Sequence, residues 1–344
     1  MAFNNITTPG SMVFAGNPVV ISGNTDAVGT YTGADEKTHT RLFPCVLGKF
    51  TTSTYTEEYT YPVADDGSFQ FDLSGALQEC ARQMRKASLS ADTGPTHTPG
   101  AITYSLQLTE SWHEEGVTYT GDTTTISNLS AVPGALTDAE RTRLSNGDVS
   151  SLLSSGKAMT RKPDSTEVVV KGMYHIVPYM NGAAPAYDRT QRGATGTFTI
   201  RGHKIYVTDE PGDFLPIAFW NGFGLLESAT GHCLPTYQHN FQSAQYEVDN
   251  GNGYTDLSEQ HAQTTLQQQV ITMNSGLVTR EWYEWWVSEV LTTPQIFVRL
   301  EGRWYSGTVV PESSITRHGS SGNALSVEFK VKLSVKGSIY NSWV

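Results

Sequence analysis

His232 and Cys233, with His239 a few residues on, are the side chains best suited to holding a transition metal. Imidazole and thiolate are the usual zinc donors. Pro235 and the loop-like composition around them argue instead for scattered polar residues. His113-Glu114-Glu115 offers a histidine and two carboxylates, but it lacks the second histidine of a zinc helix and falls at a strand end. It reads as a polar hairpin turn. The stretch "DNGNGYTDLSEQ" at 249–260 has the outline of a calcium loop. It places Gly251 and Gly253 where oxygen ligands belong, and Gln260 where a bidentate glutamate belongs, so it reads as a solvated loop. Glu57-Glu58 and Asp65-Asp66 are carboxylate pairs, but neighbours on a strand face opposite sides and cannot act together as acid and base. There is no G-x-S-x-G elbow and no P-loop. Gly222-Phe223-Gly224 lacks the third glycine and the helix of a dinucleotide turn. The sequence therefore names no catalytic, cofactor-binding or metal-ligating residue. Carboxylates assembled by folding stay open.

The elements that would position such groups are mostly strands. In "STYTEEYTYPV", Tyr55, Tyr59, Tyr61 and Val63 alternate with polar residues, as in a half-buried strand. Asp65-Asp66-Gly67 is a turn, and Phe69, Phe71 and Leu73 share the next apolar face. Leu77, Cys80, Ala81 and Met84 switch to helical spacing and predict a short amphipathic helix over 75–86. A long strand through Ile102, Tyr104, Leu106 and Leu108 pairs back on "GVTYT" at 116–120. Thr137 with Glu140 is a capping box. Strands resume at "TEVVVKGMYHIVPY" (166–179), "GTFTIRGHKIYV" and "FLPIAFW", where Pro216 predicts an edge or bulge. The hairpin "QIFVRL"–"RWYSGTVV" turns at Glu301-Gly302, and Leu325 to Val335 alternate cleanly.

Three of seven tryptophans fall in "TREWYEWWVSEVLTTP" at 279–294. Thr279 is a suitable N-cap and Pro294 a stop, predicting a helix over 280–292. Its apolar arc is too wide for a surface helix, so it reads as a plug in the open end of a β-barrel or sandwich. Trp285, at the arc's edge, is the ring expected to be most exposed if the patch serves binding.

The fold expected is mainly β: antiparallel sandwich or barrel domains with short helices plugging or flanking the sheets. The division expected is an N-terminal domain 1–125, a polar connecting segment 126–165 and a C-terminal domain 166–344. A net charge of −11 with only 23 Lys and Arg disfavours nucleic acid and anionic membrane as partners. Cys45, Cys80 and Cys233 are too few and too far apart for a disulfide framework, and are expected to be reduced. The start "MAFNNITTPGSM" has no signal-peptide pattern. No apolar run reaches the roughly 18 residues of a membrane span.

From about 266 to 335 the order of elements resembles the tail-associated structural proteins of tailed bacteriophages, especially those of gut Bacteroidetes hosts. There a short Glu-x-Trp helix precedes a strand, a W-x-P-V hairpin and a closing strand. Here Thr279 to Leu291 fill the helix and Arg303 to Val309 the hairpin, with Ser306-Gly307 where a proline would stand. "TRKPDSTEVVVKG" at 160–172 is similar to a stretch met in such virion proteins. The resemblance implies a distal-tail or baseplate-ring subunit of the virion, assembled in the host cytoplasm. It implies no catalysis and no cofactor. Its partners would be further copies of itself, in a hexameric ring, and other tail proteins. Two other readings remain. One is a carbohydrate- or receptor-binding β-sandwich using Trp220, Trp285 and Trp304. The other is a glycan-active enzyme.

Overall fold

The computed structural model describes residues 3–114, 116–143, 149–154, 157–173, 175–180, 186–188, 195–209, 214–248, 259–310 and 325–334. For 153–154, 186–188, 232–237, 239–248 and 259–268 only the backbone is described. The chain is mainly β, with antiparallel sheets and a few short helices, as the alternating pattern predicts.

In the N-terminal half, a three-stranded sheet (Phe3–Thr7, Val20–Thr25, Ser68–Asp72) shares a core with a five-stranded one. The latter runs Met12–Phe14, Val117–Val132, Ile102–Glu114, Leu42–Thr52, Thr56–Pro62 in spatial order. Phe50, Phe71, Leu106 and Leu108 are fully enclosed between them. The alternation read in the sequence selects these faces, because a one-residue slip would turn every one of them to solvent. The helix Ser74–Met84 adds Ala76, Leu77, Cys80 and Ala81 to the same core. The Thr137 capping box forms as expected. The strand Val117–Val132 runs into the stretch expected to be a connector, because its turn-forming polar residues are held in a long ladder with Ile102–Glu114.

The C-terminal half is built on a closed six-stranded barrel. Its strands are Phe214–Trp220, Leu226–Val248, Glu259–Asn274, Glu328–Leu333, Arg303–Val310 and Ile296–Leu300, in that order around the wall. Pro216 lies where the neighbour Ile296–Leu300 does not pair; that ladder covers only Ile217 to Phe219. The missing N–H therefore costs no ladder bond. The run at 166–179 is not one strand. It breaks after Val170, with Gly172 at φ 85°, into Glu167–Val170 and His175–Val177.

The tryptophan segment packs into the barrel's apolar cluster through Tyr283, Trp285, Trp286 and Val290. It is not one regular helix: an α turn Arg280–Trp285 passes into a π turn Trp286–Val290. Trp285, the ring expected to be most exposed if the patch served binding, is 3% exposed. Phe219 and Trp286 both meet it edge-on. Trp282 is the half-buried one.

Two barrel strands outgrow the barrel. Residues 240–248 and 259–268 pair with each other, and among the described residues no other strand pairs with them. The ladder shifts register between Asn240 and Phe241, where this ribbon leaves the wall. A bulge at that place bends and twists a ribbon locally. At about 3.4 Å per residue the arm reaches roughly 30 Å.

Candidate functional site

One buried cluster gathers ionisable groups from five stretches of chain. Lys162 and Glu167 flank the start of strand Glu167–Val170, His175 opens the short strand Ile176 belongs to, and His203 opens the strand His203–Thr208. Glu227 and Ser228 belong to the barrel wall. Lys162 Nζ donates to Glu167 Oε2 at 2.7 Å and also to the Ser228 carbonyl. His203 Nε2 lies 3.1 Å from the same carboxylate oxygen, and His175 Nδ1 lies 3.8 Å from it. The two imidazoles stack with planes 4° apart. Glu227 accepts from Asn221 Nδ2 at 2.9 Å and from Thr160, and stands 3.9 Å from Lys162. Ser228 Oγ ties the cluster to Ile176, accepting its N–H at 2.7 Å.

Burial opposes ionisation of Glu167, but the Lys162 ammonium beside it prevails and holds its carboxyl well below the usual range. As a carboxylate Glu167 can only accept, so His203 Nε2 carries the proton between them. Burial pushes the Glu227 carboxyl up to about 7, against the pull of Lys162, Thr160 and Asn221. Burial likewise lowers His175 to about 3, against Glu167, so its ring is neutral.

Glu167, His175 and His203 are the donor types of a transition-metal centre, with ligand atoms all within 4.8 Å of one another. The cationic place is already taken, however. Lys162 Nζ sits at hydrogen-bond distance from the oxygen on which both histidines converge. The residues present fit an ammonium-centred network better than a metal. Glu227 is fully enclosed, and the Glu167 side chain, 6% exposed, borders the adjoining cleft. What the cluster does is bolt two small sheets onto the barrel wall.

Beside it lies a cleft of 280 Å³ lined by Ser165, Thr166, Val168, Thr230, Trp282 and Trp286, among others. Trp282 Nε1 donates to Ser165 Oγ at 2.6 Å across its rim. A second bolt joins the two halves. Arg161 donates to Glu140 at 2.8 and 2.9 Å, to the Ala135 carbonyl at 2.6 Å and to Glu289 at 2.9 Å. Glu289 also accepts the Gly222 N–H at 2.6 Å. The Cβ of any other residue at 222 would fall 1.9 Å from Arg161 Nη1.

The residues singled out from sequence fare differently. Glu114 pairs with His39 and with Tyr31 Oη at 2.9 Å, while His113 Nδ1 lies 3.2 Å from Thr118 Oγ1. Glu115 lies outside the described residues, as does most of 249–260 and the side chains of His232, Cys233 and His239. Glu57 accepts from Tyr55 and Tyr59 at 2.6 and 2.5 Å, Glu58 pairs with Lys49, and Asp66 caps Ser68. Trp220 and Trp304 are buried, so neither stacks on a sugar, and Trp285 is buried with them. Cys45 and Cys80 are free thiols. No helix among the described residues is long and apolar enough to cross a membrane. The buried cluster was missed because its members are spread over 66 positions from Lys162 to Ser228 with no motif spacing. The one available signal was polar residues punctuating apolar strands. No known family model matches the chain, and no curated protein sequence matches it.

Proposed function

We propose that this protein is a structural subunit of a tailed-bacteriophage virion, a component of the tail tip that assembles as a ring and performs no catalysis. The observation that carries the reading is the arm at 240–248 and 259–268. A two-stranded ribbon alone is marginal in water and needs a further surface to hold it. Natural exposed edges are guarded by lysine or proline. Neither residue occurs in 240–248 or 259–268, which are rich in glutamine. Such a ribbon suits pairing with a neighbouring copy, and closed cyclic symmetry lets each copy cover the next one's edge. Six-fold symmetry is the specific proposal, with other tail proteins as further partners.

The rest of the fold supports a rigid building block. Glu167, Glu227, Glu289, His175 and His203 are engaged in internal bolts, and the three tryptophans on which a sugar-binding reading rested are inside. The test is to replace 241–266 by a two-residue Asn-Gly turn and compare mass distributions of the full-length and shortened chains, alone and with co-expressed tail proteins. The full-length chain is expected to form rings and the shortened one to stay monomeric with an unchanged melting temperature. Rings of equal mass from both would reject the arm as the assembly element.

A further inference from the structure

The geometry points to an oxyanion-binding site in the seam between the helix Ser74–Met84 and the barrel wall. A cleft of 310 Å³ opens there, lined by Arg82 and Arg85, by the apolar Trp220 and Pro294, and by a polar stretch that includes Gln295, Ser306, Thr308 and Ser334. Arg82 is already engaged in a two-pronged pair with Glu79 at 2.8 and 2.9 Å. Arg85 has no ion-pair or side-chain hydrogen-bond partner among the described residues. Its Nε is enclosed and unsatisfied. Burial alone acts on its guanidinium, lowering its affinity for the proton, and no carboxylate offsets it.

That is an unusual state for this chain, which carries 34 acidic residues against 23 basic ones. A guanidinium half withdrawn from water without a partner carries a desolvation cost, which an anion pairing with it would offset. Its position at the C-cap of the helix accounts for a cation there. It does not account for leaving that guanidinium without a carboxylate at the wall of a cleft. The polar stretch supplies donors that match. Ser306 Oγ accepts from Gln295 Nε2 at 2.9 Å, which leaves its own hydroxyl proton free to point outward. Thr308 and Ser334 add hydroxyls. A guanidinium fork faced by hydroxyls is the arrangement that binds carboxylate and phosphate groups. The inference is independent of the virion reading.

The oxyanion comes either free from solution or as a carboxylate on another copy of the chain, and one set of measurements separates the two. The full chain is melted in sodium phosphate and in sodium chloride at matched ionic strength, and its self-association is followed by sedimentation. A free anion predicts a melting temperature that rises with the logarithm of phosphate concentration in the parent. Arg85→Met should abolish that rise and melt no lower than the parent in chloride. A carboxylate from a second copy predicts concentration-dependent self-association that phosphate competes away and Arg85→Met abolishes. Should Arg85→Met fail to fold, Thr308→Val must weaken the same response. Equal behaviour in phosphate and chloride together with unaltered self-association, or a phosphate response that survives in the variants, overturns the proposal.

Discussion

The strands Leu226–Val248 and Glu259–Asn274 behave as two different structures along their own length. Near the wall, Phe219, Ala229, Ile271 and Met273 surround the tryptophan plug, and each strand has a ladder on both sides. Beyond Asn240 the same two strands pair, among the described residues, only with each other. In the first region stability comes from burial of large rings in a closed wall. In the second, one ladder is the only strand pairing among the described residues. Strand pairing alone thus does not make a stable element. What differs is whether a third surface is present, and the arm's is expected to come from another molecule.

The contrast can be broken most sharply at the plug. Trp286→Ala, at a ring 2% exposed, should cost about 3–5 kcal/mol in denaturant unfolding. Trp282→Ala should cost clearly less, since its ring is half-buried and its Nε1 meets only Ser165. Equal costs would mean the plug is not seated as described. Next is the bolt on the barrel wall. Lys162→Met leaves Glu167 enclosed without its cation and should cost about 3 kcal/mol by the same measurement. A neutral result would show that the cluster is wet.

The bolt also has a pH signature with two opposed signs. His175 is lowered on folding, so its share of stability is full above about pH 6.5 and is lost as pH falls from there toward 3. Glu227 is raised on folding, so its share is full below the ordinary glutamate range and is lost as pH rises through about 7. His175→Asn should therefore remove part of the loss of stability on the acid side of the profile, and Glu227→Gln part of the loss between mildly acidic and neutral pH. Profiles unchanged in both variants would remove the buried electrostatics from the account. The smallest effect on the single chain belongs to the arm. Ser243 and Thr264 face each other there, and changing either to lysine should shift stability by no more than about 0.5 kcal/mol while preventing assembly.

Period-two alternation was enough to place the core faces of Phe69–Leu73, Ile102–Leu108 and Val327–Leu333, because burial on one side leaves a direct mark on residue type. Glu301-Gly302 was legible for a related reason: both residues sit at positive φ, 49° and 82°, and glycine at the second place announces it. The environment of Trp285 was not legible. An ideal helical wheel puts it at the edge of the arc, but the adjoining π turn and the barrel wall enclose it. The buried cluster was invisible for a deeper reason. Lys162, Glu167, His175, His203 and Glu227 become neighbours only through long-range pairing such as Glu167 beside Ile205, which no local spacing encodes. The arm lay between these cases. "TTLQQQVITM" reads as a strand, yet nothing in its composition marks where the wall ends and the free ribbon begins.

Hydrogen exchange read by mass spectrometry on the isolated chain and on assembled particles tests the central claim most directly. In the isolated chain, amides of 241–248 and 259–266 should exchange orders of magnitude faster than those of Ile217–Phe219 and Ile271–Met273, reflecting local opening of an unsupported ribbon. On assembly the arm's amides alone should become as slow as the wall's. An arm protected to the wall's level in the isolated monomer, or one still fast in the particle, would contradict an arm completed by a neighbouring subunit.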